Sequence, residues 1–483
     1  MNFISTILKI LVISSPILTG LNVNAGNITL KCHVKNLAGA ELKVARSYGG
    51  IYISDYSPAV IEADSTFTVS FTNTPIERVC LLANVHGKKI FGNLYLHSEH
   101  TDVTVDPLAE TSITVETGLS QHDQKAIAQC APVSEIYFHL ITNQGDELNV
   151  KNDTCAISVK NKLQAYCDSI DAAITSANPI LRKALHQDMA ITLTRIFKTC
   201  HYYSKVEPSD STNAWNTTYT DMMQWANLDD ETSPLSFYFG EVAKGKFYFD
   251  NDSLLKSSQE ALFDKSIEYY NSRYIGKSAE ALMGLAIIND SSNGTYSESQ
   301  PQHAALFETK YPYSNLLPAV QKATESNRRA NPLVPDPDIR YINLDDDTSL
   351  TDILTSFKGR PVILDVWATW CGPCRKAFEH AAIVQQLAKD IDAVLLYISL
   401  DEGDNCSDKV RKLVNSYGLK GHHAIVTPKL KADVFGTLSY SNGNLAIPHV
   451  ALYDTEGSLL VKRFDESEEP EALAKAIRAS LSR

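Results

Sequence analysis

Three prolines, Pro332, Pro335 and Pro337, fall within the run RRANPLVPDPD. Each fixes φ near about −65° and withholds a backbone N–H, so neither a helix nor a central strand passes through them. Residues 328–338 therefore read as a stiff, extended linker, and the text differs on its two sides. Before it, residues 26–118 hold short runs rich in Val, Ile, Thr and Tyr (NITLKCHV, STFTVSFT, TDVTVD) separated by Gly, Asn, Asp and Pro, which predicts an antiparallel β domain, a small sandwich or barrel. Residues 119–327 change to apolar residues three and four apart, as in Ile180 to Tyr202 and Ser257 to Tyr274, which predicts amphipathic helices. Within them Ser209 to Ser233 is rich in Ser, Thr, Asn and Asp and reads as an exposed loop.

After the prolines, residues 339–483 alternate strand and helix, the pattern of a layered α/β domain. A strand at Pro361–Thr369 leads to a helix from Cys374 to about Asp390, then a strand Ala393–Leu400 and a helix Ser407–Tyr417. A loop region with a short helix near Asp433 follows, then strands His449–Tyr453 and Leu459–Phe464 and a last helix Glu469–Leu481. The fold class expected for the whole is multidomain α+β. At 483 residues the chain has room for about three such domains. Its formal charge of −13 argues against nucleic acid or anionic lipid as the main partner, since either needs a basic face.

Residues 1–25, MNFISTILKILVISSPILTGLNVNA, carry one Lys and no acid, then a mostly apolar run broken by Pro16, Gly20 and Asn22. That reads as a signal peptide cut after Ala25 rather than a membrane anchor, and no later segment is apolar enough to span a bilayer. The expected location is the periplasm or cell envelope, an oxidising compartment.

Nine cysteines are too few for a disulfide scaffold and odd in number. Two of them stand in Trp370-Cys371-Gly372-Pro373-Cys374, where a strand meets a helix. A Cys at a helix N-terminus faces unsatisfied N–H groups, which favours its thiolate. Cys371 is the expected nucleophile and Cys374 the resolving thiol. A zinc site normally needs a second Cys pair or spaced His ligands; the adjacent His422 and His423 lack that spacing and read as a solvated loop pair. No metal and no cofactor is expected. Asp365 precedes Cys371 by six residues, and strand alternation points it inward, where burial raises a carboxyl pKa towards neutrality.

The stretch VILDVWATWCGPCRK resembles the active-site region of the thioredoxin superfamily, in particular its exported TlpA/ResA-like branch, over residues 339–483. The resemblance implies a thioredoxin-like fold and thiol–disulfide oxidoreductase activity. It implies that Asp365 takes the proton of the resolving thiol, that Ile447-Pro448 is a cis-proline site whose backbone pairs with substrate, and that Trp370 forms a lip beside the cysteines. Two departures stand out. The helix after the motif reads CRKAFEH, with Ala377 and Glu379 where the branch commonly has an acid and a kink-forming Pro, so it is expected to run straighter. His449 replaces the usual Thr after the cis-proline; it either alters substrate contacts or is a plain strand residue.

Of the other cysteines, Cys32, Cys80, Cys130, Cys155, Cys167 and Cys200 precede the linker and are numerous enough for three bridges, with Cys155–Cys167 the plausible local pair; buried thiols are the competing reading, and Cys406 is left over. The expected function is reduction or isomerisation of disulfides in envelope proteins, with a membrane thiol reductase as electron donor. The alternatives are a binding or assembly protein whose redox domain maintains a partner, and a dedicated reductant for cytochrome c maturation.

Overall fold

The computed structural model describes residues 26–36, 42–53, 65–72, 74–85, 88–142, 150, 154–204, 214–403, 406–440, 443–465 and 470–481. The leader read at residues 1–25 lies outside them. No helix among the described residues is long and apolar enough to cross a membrane. The chain divides into two compact units, residues 1–242 and 243–483.

Among the described residues the first unit opens with eight strands: β1 (Ile28–Val34), β2 (Leu42–Tyr48), β3 (Ile51–Ile53), β4 (Thr66–Phe71), β5 (Glu77–Val85), β6 (Lys88–Leu96), β7 (His100–Val105) and β8 (Ile113–Thr117). They form two four-stranded sheets, ordered β4-β1-β7-β8 and β3-β2-β5-β6. Alternation in β1 turns Ile28, Leu30, Cys32 and Val34 inward, onto Val44, Leu81 and Leu96 of the second sheet in one shared core. The pairing is antiparallel except between β1 and β7, which run parallel from Thr29↔His100 to Val34↔Val105. The chain visits the other sheet twice between those two strands, so no hairpin forces them to oppose.

The described helices that follow are α1 (Gln121–Thr142), α2 (Ala156–Ala173), α3 (Pro179–Ser204) and α4 (Ala214–Ala226). α1 starts where Ser120 and Asp123 exchange hydrogen bonds as a capping box. α4 corrects the expectation of an exposed loop: Tyr219 follows Trp215 by four residues and precedes Met222 and Met223 by three and four, and among Thr, Asn and Asp these side chains bury one face of a helix. Trp215 packs on Phe197 of α3 at 5.1 Å.

α5 (Phe239–Asp250) carries the chain into the second unit, where α6 (Gln259–Arg273), α7 (Gly276–Ser292), α8 (Gln300–Lys310) and α9 (Leu317–Ala330) precede the prolines. Beyond them come β9 (Ile339–Tyr341), α10 (Leu350–Thr355), β10 (Val362–Trp367), α11 (Gly372–Phe378), α12 (Ala381–Asp390), β11 (Val394–Ser399), α13 (Cys406–Tyr417), β12 (Gly421–Ile425), α14 (Pro428–Leu438), β13 (His449–Tyr453), β14 (Leu459–Val461) and α15 (Pro470–Leu481). The six-stranded sheet is ordered β14-β13-β10-β11-β12-β9. β10 pairs parallel with β11 and antiparallel with β13, and is buried on both faces. Ile363 and Trp367 point into one core with Phe378, Leu413 and Leu473; Val362, Leu364 and Val366 point into the other with Ile353, Leu430 and Val434. Tyr296 and Ala330, from before the prolines, lie in the first of these cores. The Tyr296 hydroxyl bonds Ser416 Oγ (2.9 Å), and Asn415 donates to the Ala330 carbonyl (3.2 Å). The helices upstream of the proline run thus pack on α13 of the α/β part.

The structure departs from the sequence expectations at two further places. The helix after the cysteines does not run straight: it breaks between α11 and α12 at Glu379 and His380, although neither is Pro. There Glu379, His380 and Ile383 donate to carbonyls three residues back, tight turns that interrupt the helix, while Phe378 and Ala381 on either side are buried. The region expected as loop around His422 and His423 contains β12. Neighbours on a strand face opposite ways, so His422 packs on Phe357 (4.7 Å), while His423 is buried, stacked on Tyr397 (4.9 Å) and donating to the Leu419 carbonyl (2.7 Å). Burial lowers the His423 pKa to about 4, which leaves a neutral core histidine.

Candidate active site

β10 delivers the chain to the site. After Trp367 the backbone leaves the sheet through Ala368, Thr369 and Trp370, and Cys371 takes the N-cap position of α11 with extended φ −82° and ψ 100°. Pro373 sits in the first turn, where no N–H is needed. The Cys374 N–H donates to Cys371 Sγ at 3.2 Å, so one of the orphan donors of the helix end points at that sulfur. The two cysteines form a disulfide, with Cα atoms 5.3 Å apart. Cys374 is fully buried and Cys371 is 4% exposed, so the first sulfur is the one a partner reaches. Beside it the Trp370 side chain is 68% exposed, whereas Trp367 is core, edge-on to Phe378 at 5.2 Å.

The Ile447-Pro448 bond is cis. Pro448 directly precedes β13, and the register that pairs His449 with Val366 puts it at the end of β10 that leads to Cys371. Pro448 is buried and Ile447 half-buried. His449 is buried, and its Nε2 lies 2.8 Å from the Lys462 carbonyl; burial lowers its pKa, so it is a neutral strand residue fastened to the chain after β14.

Asp365 faces the same side of the sheet as Ile363 and Trp367, the side on which Cys374 is buried. Its carboxyl lines an apolar cavity of about 30 Å³ with Phe378, Tyr397, Val450 and Leu473. Oδ1 is buried without a hydrogen-bond partner, and desolvation pushes the pKa up to about 7. Tyr397, opposite it on β11, also has its pKa raised, by burial first and the Asp365 charge second.

One group escaped the sequence reading. Asp401, just after β11, accepts from the Thr369 N–H (2.8 Å), the Thr369 hydroxyl (2.6 Å) and the Ser399 hydroxyl (2.6 Å), all buried. It braces the loop that carries Cys371. The only trace in the sequence is the run Ser399-Leu400-Asp401 at a strand end.

The other seven cysteines enter no disulfide. The local pairing of Cys155 and Cys167 is ruled out by geometry: Cys155 caps the start of α2, and Cys167 lies 12 residues on within it, about 18 Å away at ~1.5 Å per residue.

The family profile for Redoxin matches residues 330–477. The thioredoxin of Chlorobaculum thiosulfatiphilum is 31% identical over 86 residues, 17% of this chain and 75% of that protein. The thiol-disulfide oxidoreductase ResA of Bacillus thuringiensis subsp. konkukian is 29% identical over 107 residues; the chain spans 56% of the length of that relative, with 22% of its own. Among solved structures, a thiol:disulfide interchange protein of the thioredoxin family from Chlorobium tepidum is 21% identical, with a TM-score of 0.23, over 26% of this chain and 83% of that one. With a strand-to-helix cysteine pair, a cis-proline before the neighbouring strand and the 31% identity to a thioredoxin covered over 75% of its length, the chain belongs, through its C-terminal region, to the thioredoxin superfamily of thiol–disulfide oxidoreductases.

Proposed function

We propose that this protein is exported to the periplasm or cell envelope and reduces or isomerises disulfides of proteins there. The observation that carries the reading is the Cys371–Cys374 pair at the α11 N-terminus, with the first sulfur accepting a backbone N–H and a carboxyl of pKa about 7 on the same side of the sheet. In the reducing direction the Cys371 thiolate attacks one sulfur of the substrate disulfide, forming a mixed disulfide and releasing one substrate thiolate. Asp365 takes the proton of Cys374, whose thiolate then attacks Cys371 Sγ. The second substrate thiolate leaves, the intramolecular disulfide closes, and two electrons have passed to the substrate. Trp370 and the backbone at Ile447 and Pro448 hold the substrate segment. A membrane thiol reductase returns two electrons to the pair.

Direction follows from the couple. A CGPC pair of the thioredoxin kind stands near about −270 mV against about −120 mV for a strong periplasmic oxidant; the difference of about 150 mV is on the order of 7 kcal/mol. Insulin reduction by the full chain and by Cys371→Ser tests the activity, and redox titration of the pair tests its direction. Turnover by the wild type and none by the variant is the expected result. Equal inactivity of both, with an envelope protein retained on the chain, favours the binding reading; a potential near that of a strong oxidant overturns reduction.

A further inference from the structure

Away from the redox pair, the first unit gathers three side chains that bind metals. Cys167 and Asp171 are four residues apart on α2 and share a face, and α3 brings His186 to them. His186 Nδ1 lies 2.5 Å from Asp171 Oδ2, and Cys167 Sγ lies 3.8 Å from that nitrogen and 3.9 Å from that oxygen. The three ligand atoms are all within 4.8 Å of one another. The second carboxylate oxygen, Asp171 Oδ1, is buried with no hydrogen-bond partner, an acceptor for which the hydrogen bonds account poorly. The sulfur is fully buried, while His186 and Asp171 are 37% and 28% exposed, so an ion has an entry path. Asp168 and Asp230 add negative charge around His186.

We propose that Cys167, Asp171 and His186 form a zinc site that ties α2 to α3, with water in the fourth position. Zinc takes thiolate, imidazole and carboxylate together at roughly 2.0–2.3 Å, which sets tetrahedral ligand atoms about 3.3–3.7 Å apart. The two sulfur distances are already close to that. The His186–Asp171 contact opens by about 1 Å as its hydrogen bond is exchanged for two metal bonds. On binding, the Cys167 thiol proton and the proton between His186 Nδ1 and Asp171 go to solvent. Thiolate, carboxylate and an imidazole protonated at Nε2 remain around Zn²⁺, and no electron moves. Three protein ligands with one open position is the arrangement of a zinc that also meets solvent.

The test uses the full chain carrying Cys155→Ser, Cys371→Ser and Cys374→Ser, which removes the exposed thiol and the redox dithiol as competing zinc ligands. After loading with Zn²⁺ and gel filtration, one equivalent of metal is expected, and Co²⁺ substitution should give a thiolate-to-cobalt charge-transfer band with tetrahedral d–d intensity. Adding Cys167→Ser or His186→Asn should each weaken binding at least about 100-fold, since loss of mere partners of ligands already costs about 10–100-fold. His186 is partly exposed, so its variant keeps the test valid if Cys167→Ser fails to fold, as circular dichroism would report. Substoichiometric zinc in the parent chain, a cobalt spectrum without the thiolate band, or unchanged affinity in His186→Asn overturns the site.

Discussion

Cys32 and Cys371 are almost equally hidden from solvent, at 0% and 4% exposure, yet they are set up for opposite fates. Cys32 lies in the middle of β1, where its neighbours' N–H groups are spent on the sheet and its side chain faces only the sandwich core. Nothing there stabilises a thiolate, and burial pushes the thiol up to about 12. Cys80 and Cys130 follow it, to about 11 and about 12, with Arg78 and a backbone hydrogen bond at Gly92 offsetting only part of the effect at Cys80. Cys371 instead caps α11 and receives the Cys374 N–H. Burial alone therefore does not assign a cysteine its role; what sets Cys371 apart is its place at a helix end, where unspent donors and the helix dipole favour a thiolate.

The most severe way to break this contrast is Cys371→Ser. Insulin reduction should fall on the order of 10³-fold or more, to background, because a serine hydroxyl neither attacks nor leaves as a thiolate does. The same substitution at Cys32 should leave turnover per folded molecule intact. Alkylation of the reduced protein at pH 8 is the next sharpest probe. With a pKa of about 12, the Cys32 thiolate is about 10³-fold scarcer than that of an ordinary thiol of pKa about 8.5. Cys371 and the exposed Cys155 should label early, and Cys32, Cys80 and Cys130 only on unfolding. Early labelling of Cys32 would sink the comparison.

Asp365 extends the contrast to a carboxyl. Its pKa is raised in the fold, so the protonated form is favoured there; the resulting stability is fully present below about pH 4 and lost as pH rises through about 7. A shift of about 3 units at about 1.4 kcal/mol each is worth roughly 4 kcal/mol. Urea unfolding of the oxidised protein should weaken by up to that amount between pH 4 and pH 8, and Asp365→Asn should flatten the slope. If the slope persists in the variant, another group carries it. The variant should also accumulate mixed disulfide with substrate, since resolution by Cys374 loses its base.

Much of the C-terminal architecture could be read from the chain because its determinants are local. Alternation over VILDVW placed Asp365 on one face, the CxxC spacing placed two sulfurs within one helical turn, and Pro448 stood just ahead of an apolar strand. Other features depended on partners far away in sequence. Asp401 meets Thr369 only because β10 and β11 pair in parallel with Trp367 opposite Ser399. β12 was hidden by the glycine at its start and its paired histidines, since a strand of five residues shows too little alternation to count. α4 was hidden by its Thr, Asn and Asp residues, whose polarity outvoted Trp215 and the methionines in composition but not in packing. The break at Glu379 has no proline to announce it and shows only in the hydrogen bonds that Glu379, His380 and Ile383 make to carbonyls three residues back.

The finest test concerns the brace behind the nucleophile. Asp401→Ala leaves the buried Thr369 N–H and the hydroxyls of Thr369 and Ser399 without their common acceptor, and should cost about 2–3 kcal/mol in urea unfolding. Asp401→Asn keeps one acceptor oxygen and should cost less. The informative readout is the pH dependence of Cys371 alkylation in the same variants. The brace holds residues 368–370, which set the direction from which Cys371 enters α11, so loosening it should misalign Sγ from the Cys374 N–H and move the alkylation midpoint to higher pH. A midpoint that stays fixed while stability falls would mean that the helix end alone makes Cys371 unlike Cys32, and that Asp401 acts on the fold without acting on the thiol.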